Sequence, residues 1–200
     1  MLHDTIHVMG LNTVIFRHFR QLAPALLSNC PALRYLSFND AIFPEFPIDD
    51  NAMASDGQAV AKWLFSLRPD GMPKFLRCSV NSPDQWSSSM EQLKTAFSNA
   101  SSPITFCILL TPLSSLIGSV MPFDLINELT GEQLTLQQNG TNDFLLTRSP
   151  IGWDESAWLS ATIQLLVHIP QNPIHFLIKD GAFDEGLLDA ASPGPSDQQQ

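Results

Sequence analysis

Basic residues are scarce in this sequence. Lys and Arg together number 10, against 20 Asp and Glu, which gives a formal net charge of −10 and a pI near 4.6. A nucleic-acid backbone is bound by a dense basic face, and ten cations spread over 200 residues do not provide one. We therefore expect no nucleic-acid partner, whereas a protein partner with a basic surface fits the charge. The acidity has a second interpretation, in which it only keeps the protein soluble.

Cysteine is also rare, and its spacing excludes the usual thiolate chemistry. Cys30, Cys78 and Cys107 lie far apart, without a CxxC pair or a Cys/His ligand spacing. We expect no zinc, no other metal and no cofactor. The pattern is typical of buried, reduced thiols in an intracellular protein, located in the cytoplasm or the nucleus.

No targeting or membrane-spanning segment is expected. The first residues, Met1–His7, lack the basic start and apolar run of a signal peptide. The stretch between Ser98 and Phe123 carries no charge and is long enough to span a bilayer. Because Pro103, Pro112 and Pro122 interrupt it, a buried strand followed by a loop explains it better.

Apolar periodicity indicates alternating helices and strands. Helices are predicted in 12–27, from Ser55 or Asp56 onward, and after a capping box at Ser88–Glu91; strands are predicted at 33–38, 74–80 and 102–110. The second helix would carry the stripe Val60, Trp63, Leu64 and Leu67. The crossovers are long enough for parallel strand pairing. The passage from a helix through Asn29-Cys30 to a Leu-x-x-Leu strand is similar to one unit of a leucine-rich repeat.

The stretch 122–151 predicts an antiparallel meander. Three apolar-rich runs are separated by Thr130-Gly131 and by 139–142, both typical of hairpin turns. Phe123, Leu125 and Leu129 share one parity in the first run, and Leu134 and Leu136 alternate with polar residues in the second. One face of the meander is therefore expected to be buried and the other solvated.

These elements predict an α+β fold: a curved mixed sheet with helices on one face, made of leucine-rich-repeat-like helix–strand units followed by the meander. A single recognition domain is expected over residues 1–190, with the repeat-like units at about 12–111. The meander and a closing helix–strand, which begins at Trp153 and includes a strand at 174–178, would occupy about 122–180. Residues 191–200 are expected to form a disordered tail.

The sequence shows no catalytic constellation, and we expect a protein that is not an enzyme. It has no Gly-x-Ser-x-Gly elbow, phosphate-binding loop or His-Glu-x-x-His motif. His168 and His175 lie in apolar surroundings that favour a structural role. The acidic pair Asp49-Asp50 lacks the ligand spacing of a calcium loop.

Four residues are the candidates for partner binding. Trp86 and Trp153 lie near predicted turns and could anchor a partner, whereas Trp63 and Trp158 lie on helix stripes and are expected in the core. Asp49 and Asp50 add an acidic loop that suits a basic partner.

Several stretches, taken in order, resemble one known family. They are Ala59–Leu64 (AVAKWL), Arg68–Lys74 (RPDGMPK), Pro122–Leu125 (PFDL), Asn127, Leu129–Leu136 (LTGEQLTL), Arg148–Ile151 (RSPI), Gly186–Ala190 (GLLDA) and Gly194–Ser196 (GPS). Together they resemble the C-terminal substrate-recognition region of the F-box proteins expanded in plant-parasitic cyst nematodes. The resemblance runs from about Phe19 to the C-terminus.

The resemblance implies a role in a cullin–RING ubiquitin ligase, in which an F-box docks on a Skp-type adaptor and the remainder holds a protein substrate. The residues before Phe19 are too few for the helical F-box, so we expect this chain by itself not to bind the adaptor. The implied function is a protein-interaction module: a truncated or decoy substrate receptor, or a fragment of a longer gene product. Two alternatives remain, namely a small intracellular enzyme with a pocket at the strand ends and a structural fragment without a stable partner.

Overall fold

A computed structural model describes residues 8–68, 70–112, 120–152 and 174–175. Within these residues the elements are, in chain order, β1 (Val8–Leu11), α1 (Thr13–Leu22), β2 (Tyr35–Phe38), α2 (Asp56–Leu64), β3 (Lys74–Val80), α3 (Pro83–Ser98), β4 (Phe106–Pro112), β5 (Phe123–Asn127), β6 (Glu132–Asn139), β7 (Asp143–Pro150) and β8 (Ile174–His175). The coarse prediction of a mixed helix-and-strand fold is confirmed. The predicted closing helix and C-terminal tail lie outside the described residues.

The strands form one mixed sheet of eight described strands, in the order β5-β6-β7-β4-β3-β2-β1-β8. The four strands β1 to β4 are parallel and adjacent in chain order, with a helix between each consecutive pair. From β4 the sheet continues through antiparallel pairs, β4–β7, β7–β6 and β6–β5. Strand β5 is therefore one end of the described sheet.

The three helices bury their apolar residues against one face of this sheet. In β3, Leu76 and Val80 point into that core while Arg77 between them is exposed, which is the alternation of a strand with two different faces. The opposite face carries a smaller buried cluster of Phe75, Cys107 and Leu145. The main core is contributed by the following helix residues: Ile15 and Phe16 of α1, Val60, Trp63 and Leu64 of α2, and Met90, Leu93 and Phe97 of α3.

Helix α2 begins at the predicted cap. The Ser55 side chain accepts a hydrogen bond from Gln58 N, and the Gln58 side chain accepts one from Ser55 N, which completes a capping box. The helix ends at Leu64, so Leu67 lies beyond it and is exposed, contrary to its predicted place on the buried stripe.

Two further predictions are wrong, and one strand of the structure was not predicted. Helix α3 begins at Pro83 rather than after Ser88, because a proline at the first helical turn needs no N–H partner, and the Ser88–Glu91 motif lies inside the helix. Strand β1 was not predicted at all. Leu129 follows the end of β5 in a turn and is exposed, so it does not share the burial of Phe123 and Leu125.

All three cysteines are buried, and Cys30 and Cys78 are free thiols. Desolvation by burial raises the pKa of the Cys30 thiol and, more strongly, that of Cys78. A raised pKa keeps the thiol protonated and therefore slow to react. The predicted burial of the cysteines is confirmed.

A fully buried ion pair joins the antiparallel strands to the parallel part of the sheet. Arg148 of β7 is 0% exposed and donates from Nη2 to Glu132 Oε2 of β6 at 2.6 Å; Glu132 is 1% exposed. Glu132 Oε1 accepts from Ile104 N at 2.8 Å, and Arg148 Nη2 also donates to Ser102 O at 3.1 Å. Both of these backbone groups lie in the segment just before β4. The guanidinium carbon lies 5.3 Å from the Phe97 ring centroid.

Replacing a residue on the buried face of β6 should destabilise the protein far more than replacing one on its exposed face. Leu134 and Leu136 are buried, whereas Gln137 is exposed. We expect Leu134→Ala or Leu136→Ala to lower the free energy of unfolding by about 2–5 kcal/mol. Gln137→Ala should change it by less than about 0.5 kcal/mol. Equal shifts of the urea midpoint for Leu134→Ala and Gln137→Ala would contradict the orientation of β6.

The turn between β5 and β6 gives a separate prediction, which concerns the backbone conformation of Gly131. Gly131 has a φ of +67°, and a β-carbon added at this position would meet no atom within 4 Å, so only backbone strain opposes a larger residue. Gly131→Val should therefore lower the free energy of unfolding by roughly 1–2 kcal/mol, measured by urea unfolding.

Removing one charge of the buried pair should be strongly destabilising. Glu132→Gln keeps an oxygen for Ile104 N but leaves the Arg148 charge uncompensated in the core, which should cost about 3–5 kcal/mol. Replacing both residues, by Glu132→Gln with Arg148→Met, should cost less than the sum of the single changes. Urea unfolding of the four proteins measures this. The matched control is Glu91→Gln, which removes the acid of an exposed pair with Lys94. If Glu132→Gln cost no more than this control, the pair would not hold the strands together.

Candidate functional site

The two predicted acidic residues organise their own loop. Asp49 Oδ1 accepts hydrogen bonds from Asp50 N at 2.7 Å and Asn51 N at 3.1 Å. Asp50 Oδ2 accepts from the Ser28 hydroxyl at 2.5 Å. Both side chains are half-buried. The Asp49 carboxylate is thus engaged in a local turn before α2, whereas the Asp50 carboxylate ties this loop to Ser28.

The two predicted tryptophans do not form a surface in the described structure. Trp86 lies in the first turns of α3, is only 7% exposed, and packs edge-on against Phe43 with a ring-centroid distance of 5.4 Å. This burial places Trp86 in the core rather than on a binding surface. Trp153 lies outside the described residues.

A cavity of about 470 Å³ lies between α1 and the start of α2. Two arginines of α1 converge there on Asp56: Arg17 Nη2 lies 3.1 Å from Oδ2, and Arg20 Nη1 lies 3.0 Å from Oδ1. Arg20 Nη2 also donates to Asn51 O at 3.1 Å. Asp56 begins α2, where the helix dipole favours a carboxylate. The arrangement ties the two helices together and leaves one positive charge in excess.

A buried lysine separates two smaller cavities. Lys74, the first residue of β3, lines both a cavity of about 280 Å³ and one of about 180 Å³. Its Nζ donates to Trp63 O, to Ser66 O and, at 2.6 Å, to Ser66 Oγ. Burial and, to a smaller extent, the charge of Arg68 together lower the pKa of Lys74 to about 7. Each of the three N–H groups of the Lys74 ammonium thus has an acceptor. The Lys74 side chain caps the C-terminal end of α2.

Arg68 and Asp70 form a bidentate ion pair beside Lys74. Arg68 Nε lies 2.9 Å from Asp70 Oδ1, and Nη2 lies 2.7 Å from Oδ2. The hydrogen bonds from Arg68 hold the pKa of Asp70 well below its usual range, helped by the charge of Arg34. Arg68 Nη1 also donates to Leu33 O at 2.9 Å. These contacts fasten the loop after α2 to the start of β2.

The end strand β5 carries the most prominent exposed apolar side chains near a sheet edge. Ile126 is 61% exposed and Leu129, in the following turn, is 81% exposed; Met121, just before the strand, is also exposed. Two exposed acids, Asp124 and Glu128, lie among them. We call these five residues the β5 edge surface.

A buried asparagine holds the turn that presents this surface. Asn127 Oδ1 accepts from Leu129 N at 2.9 Å, and Gly131 N donates to Asn127 O at 3.0 Å. Asn127 Nδ2 donates to Phe97 O at 2.7 Å and to Ala100 O at 3.0 Å, both at the end of α3. The turn is therefore fixed to the helix layer, and Leu129 is exposed on a rigid support.

No family model, no characterised protein and no solved structure matches the chain. None of the helices within the described ranges is long and apolar enough to cross a membrane. Among the side chains that the structure describes, no group of three or more His, Cys, Asp or Glu residues could hold a metal ion.

The β5 edge surface and Lys74 were missed by the sequence analysis, although the sequence contains a signal for each. Ile126 is an apolar residue on the parity opposite to Phe123 and Leu125, so it interrupts the alternation of β5. Lys74 shares the parity of the buried residues Leu76 and Cys78 in β3. A residue whose polarity contradicts its position in a strand is the signal in both cases.

The lowered pKa of Lys74 predicts a pH-dependent stability. At pH values between the folded pKa of Lys74, near 7, and its ordinary value of 10.5, the unfolded chain binds more protons than the folded protein. The free energy of unfolding therefore increases as the pH rises through this range. Lys74→Met should remove this gain, which is at most about 1.4 kcal/mol per pH unit. Urea unfolding at pH 6, 7.5 and 9 measures the difference between the two proteins.

The control for this measurement is Lys62→Met, at an exposed lysine of the same helix region. The difference in the free energy of unfolding between Lys62→Met and the wild type should be the same at all three pH values. A constant difference for Lys74→Met as well would mean that the three acceptors keep the ammonium charged in the folded protein.

Proposed function

We propose that the protein is a non-enzymatic protein-interaction module, similar to the substrate-recognition part of an F-box protein, and that the β5 edge surface is its binding site. The observation that carries the proposal is the exposure of Ile126 and Leu129 on an end strand and its turn. Apolar side chains on a rigid, protruding support are typical anchors of protein interfaces. The partner is a protein substrate or target, met in the cytoplasm or nucleus.

The proposal includes the finer architecture that the sequence patterns predict. Leucine-rich-repeat-like units are supported by the sequential, parallel order of β1 to β4. A meander is supported by the antiparallel pairs of β5, β6 and β7. In such an arrangement the repeat-like units supply the scaffold and the antiparallel strands supply the recognition edge. As a receptor, the chain is either a truncated or decoy form or a part of a longer ubiquitin-ligase adaptor.

A small intracellular enzyme is the second candidate, and Lys74 is the observation that favours it. A lysine with a pKa of about 7 between two cavities has the properties of a nucleophile or general base. However, all three N–H groups of Lys74 already have acceptors in the C-terminal end of α2 and its following turn. The geometry therefore fits a helix cap better than a catalytic amine.

The interaction proposal is tested by capture and reconstitution. The purified chain is immobilised, proteins retained from a nematode extract are identified, and each candidate is produced alone for a Kd measurement. We expect at least one direct partner whose affinity falls about tenfold or more for the edge variant Ile126→Asp with Leu129→Asp, since charges replace apolar anchors.

The control variant is Leu22→Asp with Met53→Asp, which changes two exposed apolar residues away from β5. It should bind like the wild type, and circular dichroism should show both variants folded. Equal losses for the two variants, or the failure of every purified candidate to bind directly, would overturn the proposed site.

A further inference from the structure

We propose that the β5 edge surface binds an extended, basic segment of the partner, which adds to the sheet as a further strand beside β5. This inference rests on the proposed function, because it specifies the chemistry of the segment that the same surface recognises. It combines three observations: an open backbone edge, an excess of acidic charge and an alternating pattern of side chains.

The backbone edge is open within the described residues. Strand β5 pairs with β6 along its whole length, Phe123 to Asn127, and no described strand lies on its other side. An end strand presents N–H and C=O groups that a second extended chain satisfies, and this is a common mode of peptide recognition. Proteins often protect such edges with lysine, and β5 has none.

The acidic charge of the surface has few neighbours to offset it. Between Lys94 and Arg148 the sequence contains no Lys, Arg or His. Arg148 is buried in its pair with Glu132. Lys94 lies 4.5 Å from the ring centroid of Phe123 in β5, but its ammonium is already paired with Glu91 at 2.8 Å. The exposed carboxylates of Asp124 and Glu128 therefore leave an excess of negative charge beside β5. Basic side chains on a partner satisfy these carboxylates and accelerate association.

The side chains of β5 set the pattern of the incoming strand. Asp124 and Ile126 lie on one face of the strand, and the half-buried Phe123 and Leu125 lie on the other. Residues directly opposite each other on adjacent strands contact on the same face. A complementary strand therefore carries a Lys or Arg across from Asp124 and, two residues away, an apolar or β-branched residue across from Ile126.

Two other occupants fit the charges poorly. A second copy of this chain, paired through β5, would bring the acids Asp124 and Glu128 of both copies together, and like charges on adjacent strands are destabilising. A basic segment of the same chain is also disfavoured, because the sequence outside the described residues contains one lysine, Lys179, and no arginine. A basic segment of another protein is the occupant that the charges favour.

The test begins with a random dodecapeptide phage library selected on the full chain. We expect selected peptides to be enriched in Lys or Arg alternating with β-branched or apolar residues. Synthetic forms are then compared by fluorescence anisotropy: the unmodified peptide and two forms with backbone N-methylation at every second residue, in the two possible registers. Since alternate N–H groups of a strand point to the same edge, one register should weaken binding about tenfold or more and the other should not.

The acidic contribution is measured with a matched pair of variants. Asp124→Lys should weaken binding of the selected peptide about tenfold, whereas Asp84→Lys, an exposed acid at the start of α3, should leave the Kd unchanged. Amides of Phe123–Asn127 should become protected from hydrogen exchange when the peptide binds. Binding should also weaken as salt is added.

The outcomes separate this inference from the function on which it rests. One outcome is that peptide binding is lost in the variant Ile126→Asp with Leu129→Asp but is unaffected by N-methylation in either register; another is that the selected peptides lack basic residues. Either outcome would overturn the addition of a basic strand but would still support the β5 edge surface as the binding site. Concentration-dependent self-association that is abolished by Ile126→Asp with Leu129→Asp would assign the edge to a second copy and overturn strand addition by a basic segment as well. Failure to select any peptide that depends on β5, together with no partner that depends on it, would overturn both.

Discussion

The contact between Arg148 and Glu132 is the constraint on which the antiparallel half of the sheet depends. Each charge is buried, so either one without the other would carry a large desolvation penalty. The pair spans β6 and β7, and its remaining bonds reach Ile104 N and Ser102 O ahead of β4. A shift of either strand by one residue would turn these side chains to the other face of the sheet. The ion pair therefore fixes the register of β6, β7 and β4 at the same time.

The position of β5 follows from that register and from Asn127. Once β6 is fixed, β5 pairs with it from Phe123 to Asn127, and the Asn127 side chain binds Phe97 O and Ala100 O at the end of α3. A buried polar network of this kind specifies one arrangement, because each unsatisfied group would be costly. The exposed Ile126 and Leu129 thus sit on a support that is fixed to both the sheet and the helix layer. Rigid support lowers the entropy that a binding surface loses when it meets a partner.

Local patterns predicted the elements better than their arrangement. Strand β3 and the Ser55 cap of α2 lie where the sequence placed them, because strand burial and capping are decided within a few residues. Strand β4 overlaps its predicted range, 102–110, but begins four residues later, at Phe106. Strand β1 was missed because its four residues are too few to show a period. Trp86 was expected at the surface from its place near a turn, but α3 starts earlier, at Pro83, and carries it into the core. The edge position of β5 could not be predicted, since it depends on the order of eight strands.

An open edge strand is a liability unless something selects what pairs with it. Here the selection is electrostatic: the segment from Thr95 to Thr147 contains no basic residue, and the exposed acids Asp124 and Glu128 flank Ile126. Acids at the edge repel a second copy of the same acidic chain, just as edge lysines do in other sheets. Unlike lysines, they attract a basic strand. In the proposed interaction, the same charges would oppose self-association and favour a basic partner strand.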